Sequence, residues 1–122
     1  MSVEENKEIV RRWNEEAYNG RNPEVVDELA AEDYINHNSG ADRAAHKQSV
    51  VDALAASSDL EITLEDIIAQ EGMVAVHWRL AGTRTGEYRG QPTSGEKISY
   101  HGISMYRLVG GKIVEDWSVA EE

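Results

Sequence analysis

The apolar residues of this 122-residue chain change their repeat once, near Ser57-Ser58-Asp59, and that change limits the fold more than any other feature. Before it, apolar side chains return every three to four positions, which is the spacing of one helix face. After it they alternate, which is the spacing of a strand covered on one side. Helices gathered first and strands gathered afterwards form the pattern of an α+β domain whose helices cover an antiparallel sheet.

The helical half divides into three. Ser2-Val3-Glu4-Glu5 reads as a capping box, with Ser2 as N-cap and Glu5 three positions on. The helix it opens carries Val3, Ile9, Val10, Trp13, Ala17 and Tyr18 on one face and stops at Asn19-Gly20. Asn22-Pro23 predicts a second helix, with Asn22 as cap and Pro23 at the first helical position; Val25, Val26, Leu29 and Ala30 are its buried stripe. Asp33 to Asn38 reads as a brief strand or extended segment broken by Ser39-Gly40. A third helix is expected over roughly Asp42 to Ser57, with Ala45, Val50, Val51, Leu54 and Ala55 facing inward.

Four long strands follow, over Leu60–Gln70, Met73–Thr85, Lys97–Val109 and Lys112–Val119. Glu71-Gly72 and Gly110-Gly111 read as tight turns, and Gly86 to Gly95, with Gly90 and Pro92, as a loop. Strands this long must twist and bend, and Gly82 and Gly102 are natural bend points. The expected fold is therefore a cone-shaped α+β barrel: three N-terminal helices packed on a strongly curved antiparallel sheet, enclosing a hollow. With no repeat, low-complexity tract or Pro-rich linker, residues 1–122 read as a single domain.

Composition removes several function classes. Without cysteine there are no disulfides, thiolate nucleophiles or Cys-ligated metals. The formal net charge is −11, and phosphate backbones need the opposite sign, so nucleic-acid binding is not expected. All of that charge lies in the first half. Residues 1–71 hold 17 acids and 6 bases, whereas residues 72–122 hold 6 of each. Its simplest reading is a solvated helix surface; the alternative is adaptation to high salt. No apolar run could span a bilayer and Met1-Ser2-Val3-Glu4-Glu5 does not resemble a signal peptide, so no membrane association and a cytoplasmic location are expected.

The last hairpin locates candidate chemistry. If Gly110-Gly111 is a two-residue turn, paired residue numbers sum to 221, so Met105 faces Asp116, Ile103 faces Ser118 and His101 faces Ala120. These six share one side of the sheet, and Ser104, Tyr106, Leu108, Ile113, Glu115, Trp117 and Val119 share the other. One extra bulged residue would shift this register and flip one strand. An acid set among Ile, Met and Ala is poorly solvated, which raises its pKa toward a useful range, and a neighbouring His can donate or relay a proton. Asp116 equally reads as a plain exposed acid, and His37 as a hydrogen-bonded structural histidine. His46 reads as exposed, and His77 as pocket-lining or facing a partner. Trp13 and Tyr18 are most simply core residues; with Tyr34, Ile103, Met105 and Ser118 they are also the candidates to line a substrate pocket.

Other chemistries lack their residues. Gly110-Gly111 is not followed by a helix and so is no phosphate loop. Four scattered histidines show no metal spacing, and no Gly-x-Ser-x-Gly elbow is present. No metal site is expected.

Four stretches carry a resemblance over nearly the whole chain: Val10 to Gly20, Glu32 to His37, Gly82 to Gly95, and Tyr106 to Trp117. In this order they resemble the SnoaL-like polyketide cyclases of the nuclear transport factor two-like superfamily. The resemblance implies a cone-shaped α+β barrel, no cofactor, a small apolar or polyketide-like substrate, and ring closure by intramolecular aldol condensation. It implies an acidic base near the C-terminal strand, matched by Asp116, with His101 and His37 as neighbours. Many relatives carry His before the last Trp and Asp after it, where this chain has Asp116 and Ser118. The resemblance also fits a cyclase, isomerase or lyase of another substrate, or a non-catalytic binding or dimerisation module of the same fold. A homodimer through the outer sheet face is expected, with Tyr106, Ile113, Trp117 and Val119 as its apolar surface.

Overall fold

A computed structural model describes residues 2–85 and 95–122. The expected loop with Gly90 and Pro92 lies, apart from Gly95, outside the described residues. The elements are α1 (Val3–Tyr18), α2 (Val25–Leu29), β1 (Ala30–Asn36), α3 (Arg43–Ala56), β2 (Glu61–Gln70), β3 (Met73–Thr83), β4 (Lys97–Val109) and β5 (Lys112–Glu121). Among the described residues no helix is long and apolar enough to cross a membrane.

Local signals account for the element ends. Both halves of the capping box form at Ser2 and Glu5. Asp42 caps α3 by accepting from the Ala45 amide at 2.8 Å. Helix α2 begins two residues later than expected: Asn22 accepts from the Glu24 amide, but a tight turn precedes the first full helical turn. The inward stripe of α3 is also rotated. Val50, Leu54 and Ala56 are buried, whereas Ala45, Val51 and Ala55 face water.

β2, β3, β4 and β5 form the expected meander, and β1 joins it parallel to β5, giving the order β1-β5-β4-β3-β2. The concave face holds one core. Val10, Trp13 and Ala17 of α1, Val25, Val26 and Leu29 of α2, and Val50 and Leu54 of α3 pack with Val74, Val76, Tyr106, Leu108 and Ile113 of the sheet.

The Gly110-Gly111 turn is the expected two-residue turn. Both glycines have positive φ, as a type I′ turn requires, and Val109 pairs with Lys112. The expected register then fails three residues on. Leu108 pairs with Ile113, but Arg107 pairs with Glu115, so Val114 is an extra residue in β5. Beyond this bulge the paired residues are Tyr106 with Asp116, Met105 with Trp117, Ser104 with Ser118, and Ile103 with Val119. Asp116 and Ser118 thus face the core with Ser104 and Tyr106. His101, Ile103 and Met105 lie on the opposite, convex face.

Gly102 is a packing requirement. A Cβ there would sit 2.4 Å from the Val119 carbonyl oxygen and 2.6 Å from the Trp78 ring. Gly102→Ala is expected to cost about 1–3 kcal/mol, the usual scale of overpacking. Thermal unfolding measures this, and a native melting temperature in the variant would contradict it.

Candidate active site

Between the helices and the concave face lies a cavity of about 120 Å³. Its wall includes Trp13 and Asn14 from α1, His46 from α3, Trp78 and Leu80 from β3, and Asp116 from β5; Tyr18, Tyr106 and Ser118 also line it. Helices α1 and α3 and all five strands, with Asn36 from β1 and Ile62 from β2, therefore converge on one small volume.

Asp116 is its acid. The residue is 3 % exposed, turned inward by the Val114 bulge. Tyr34 donates its hydroxyl proton to Asp116 Oδ2 at 3.0 Å, and Ser118 Oγ donates to Oδ1 at 3.2 Å. The His37 amide holds the Asp116 backbone carbonyl at 2.8 Å. Burial pushes the Asp116 carboxyl up to about 6, against the opposing pull of the Tyr34 and Ser118 hydrogen bonds. Burial also raises the Tyr34 and Tyr106 phenols, with the Asp116 charge adding to it, so both keep their protons.

A hydrogen-bond chain runs across three strands to this carboxylate. Trp78 Nε1 donates to Ser104 Oγ at 2.9 Å, and Ser104 and Ser118 hydroxyls lie 2.7 Å apart. An indole nitrogen can only donate and an ionised carboxylate can only accept. The chain is therefore directed from Trp78 through Ser104 and Ser118 to Asp116. Asn14 Nδ2 donates to the Tyr106 hydroxyl at 3.3 Å and to the Val10 carbonyl at 2.9 Å, fixing a further wall.

His46 corrects an expectation. It is not a free surface residue: its ring stacks on Trp13 with centroids 4.8 Å apart and 10° between planes, and meets Tyr34 edge-on at 5.7 Å. Burial pushes its imidazole down to about 4, so it is neutral at pH 7. The signal was present in the sequence, because His46, Val50 and Leu54 repeat at i, i+4, i+8. Asn14 was likewise legible beside Val10, Trp13 and Ala17.

The expected residues separate into two groups. Trp13, Tyr18, Asp116 and Ser118 line the cavity, and Tyr34 lies behind Asp116 as its donor. The expected grouping of His101, Ile103 and Met105 with Asp116 is overturned by the bulge, which puts these three on the far side of the sheet. His101 pairs there with Glu121 at 3.2 Å. His37 also turns its ring away from the cavity. It stacks on Trp117 at 4.9 Å and reaches Glu115 at 2.7 Å. Tyr106 and Ile113, expected on the outer face, are buried inside.

The convex face carries its own depression of about 230 Å³, bordered by His77, His101, Ile103 and Val119. It is larger than the inner cavity but open. Its histidines are half-buried and already face Asp66 and Glu121. Among the described residues no three His, Cys, Asp or Glu side chains converge as metal ligands.

A family model described as SnoaL-like polyketide cyclase matches residues 8–122. Among solved structures, TsrD from Streptomyces laurentii superposes with a TM-score of 0.88 at 18 % identity, over 99 % of this chain and 91 % of that one. A SnoaL-like polyketide cyclase from Agrobacterium tumefaciens gives 0.80 at 14 %, over 100 % and 94 %. AclR from Streptomyces galilaeus, a proposed hydroxylase, gives 0.79 at 28 %, over 98 % and 91 %. No curated protein matches the chain.

Proposed function

The chain belongs to the SnoaL-like polyketide cyclase family, and from that premise we propose that it is an enzyme in which Asp116 acts as general base on a C–H bond next to a carbonyl. The observation that carries this reading is the enclosed Asp116 carboxyl, buried but held by two donors. A base is most effective when its pKa lies near the working pH. Asp116 sits at about 6, ionised at neutral pH yet basic enough to take a proton. The carboxylate removes the α-proton, the C–H electrons form the enolate double bond, and the carbonyl electrons move to oxygen. In a cyclase the enolate carbon then bonds to a second carbonyl carbon of the same molecule. That second carbonyl oxygen takes the proton back from Asp116, and the base is restored.

Within this reading Tyr34 and Ser118 are positioning residues, since each acts through Asp116. His37 and His101, implied as neighbours of the acid by the family resemblance, do not touch the reacting atoms in this reading, because their rings do not line the cavity. An NMR titration of the Asp116 carboxyl tests the reading. A midpoint near 6 is expected; a midpoint at an ordinary carboxylate value would favour a non-catalytic binding module.

The partner proposed for the convex face is a second copy of this chain. Val119, Ile103 and Ile68 are 69 %, 54 % and 70 % exposed there, with Met105 and Trp117 beside them. Residues 72–122, which supply most of that face, carry equal numbers of acids and bases, so two copies can approach without the repulsion of the acidic helical half. Sedimentation at micromolar concentration is expected to give a dimer and Val119→Asp a monomer with its cavity intact. A native monomer would refute the dimer.

A further inference from the structure

We propose that this cavity takes a neutral carbonyl compound of one ring or less, with its carbonyl oxygen toward His46 and its acidic C–H toward Asp116. The inference rests on the general-base reading and adds the size and orientation of what is bound.

Size comes first. An enclosed apolar cavity of about 150 Å³ accommodates a benzene molecule; this one holds about 120 Å³ and is partly open, so a single ring can fill it with its edge at the opening. A fused second ring would have to project out of the opening or displace the walls, so the question is whether the walls can yield. Three aromatic side chains around it are tied in place. The Trp78 indole is held by Ser104, the Tyr106 phenol by Asn14, and the Tyr34 phenol by Asp116. Turning any of them would leave a buried polar group without its partner, which costs about 1–3 kcal/mol. Trp13 is covered by His46 on one face and by Tyr34 at a tilt. The one aliphatic partition is Leu80, which lines both this cavity and a smaller one of about 50 Å³ beside Leu60, Ile98 and Tyr100.

Orientation follows from the polar groups. Asp116 accepts from Tyr34 and Ser118, so its oxygens attract a donor or an acidic C–H and repel a carbonyl oxygen. His46 is the other titratable side chain lining the cavity apart from the tyrosines. Among the described residues its ring makes no hydrogen bond, and its neighbours Trp13 and Tyr34 contribute faces and edges. A neutral imidazole carries one N–H donor. That donor can hold a carbonyl oxygen in the ground state and strengthen its hold as negative charge collects there in the enolate, with no proton changing place. Because the site offers an anion no resident cation, the bound form is neutral.

The probes are cyclohex-2-enone, phenol and 1-naphthol, used with the full-length protein. In D2O the native protein is expected to speed exchange of the enone's α-protons above the rate with Asp116→Asn, and His46→Phe, which keeps the stack on Trp13 but has no donor, to slow it tenfold or more. No acceleration by native protein overturns the general-base reading. Acceleration that survives His46→Phe unchanged overturns the role of His46 alone. Binding is read independently from tryptophan fluorescence and the His46 ring nitrogens. Phenol is expected to bind at least tenfold tighter than 1-naphthol and to shift those nitrogens, while Leu80→Ala, by joining the two cavities, reverses the preference. Native protein that binds 1-naphthol as tightly as phenol overturns the size limit.

Discussion

Asp116→Asn is expected to slow proton abstraction by about two powers of ten or more, the range for loss of a general base. The substitution keeps the shape of the side chain and removes its basicity. The amide oxygen can still accept from Tyr34 or Ser118, so the chain from Trp78 through Ser104 keeps most of its geometry. The native rate should also depend on pH with one sign. Below about 6 the carboxyl holds its proton and cannot take another, so the rate falls tenfold for each pH unit; above it the rate is level. Tyr34 and Tyr106 are pushed well above the ordinary phenol range and add no second limb at neutral pH. Measuring α-proton exchange across pH 4–8 in both proteins checks this. An Asn variant with the native rate, or a native profile flat through 6, would remove Asp116 from the mechanism.

The second large effect is on stability, where Asp116 and His46 oppose one another. Asp116 has a raised pKa in the folded protein. Between about 4 and 6 the unfolded chain releases this proton and the folded chain keeps it, so rising pH costs the folded state about 3 kcal/mol. His46 has a lowered pKa. Between about 6.5 and 4 the unfolded chain takes up a proton that the folded chain refuses, so falling pH costs a similar amount, about 3 kcal/mol. The two slopes share one window and nearly cancel in the native protein. Each variant should expose the other. Asp116→Asn is expected to be more stable than native at pH 8 by up to about 3 kcal/mol, less about 1 for the hydrogen bond that an amide nitrogen cannot accept. That gain should vanish by pH 4. His46→Phe should lose the acid-side cost and show the opposite trend. Urea unfolding at several pH values measures these differences, and the remaining carboxylates titrate alike in both members of each comparison. Parallel stability profiles for native and Asp116→Asn protein would show that the carboxyl is not desolvated.

These two results bear on each other. A group that costs stability at the pH where it works is retained for what it does there. An Asn variant that is inactive and more stable would separate catalysis from packing at one position, which neither measurement achieves alone.

Much of this protein was legible in its sequence because the signals are local. The capping box at Ser2, the cap at Asp42, the change of repeat after Ser57 and the positive-φ glycines of the last turn each depend on residues within a few positions of one another. They determine three helices followed by a four-strand meander, and with it a hollow. The family stretches agree with that order, and Trp13, Tyr18, Asp116 and Ser118 do reach the cavity.

Which residues meet across the hollow was decided only in three dimensions. Strand side chains alternate, so one extra residue exchanges the two faces for everything beyond it. Val114 is that residue. It is apolar like Ile113 before it, and nothing in its spacing distinguishes a bulge from a regular strand. The bulge lets Glu115 lie outside with Arg107 and His37, and turns Asp116 inward to Tyr34. His46 illustrates the same division on a helix: its period was readable, but its stack on Trp13 depends on how α3 packs on α1. Local periodicity thus set the elements and the existence of a pocket. The register of β5 against β4, fixed by tertiary packing, set which acid the pocket holds.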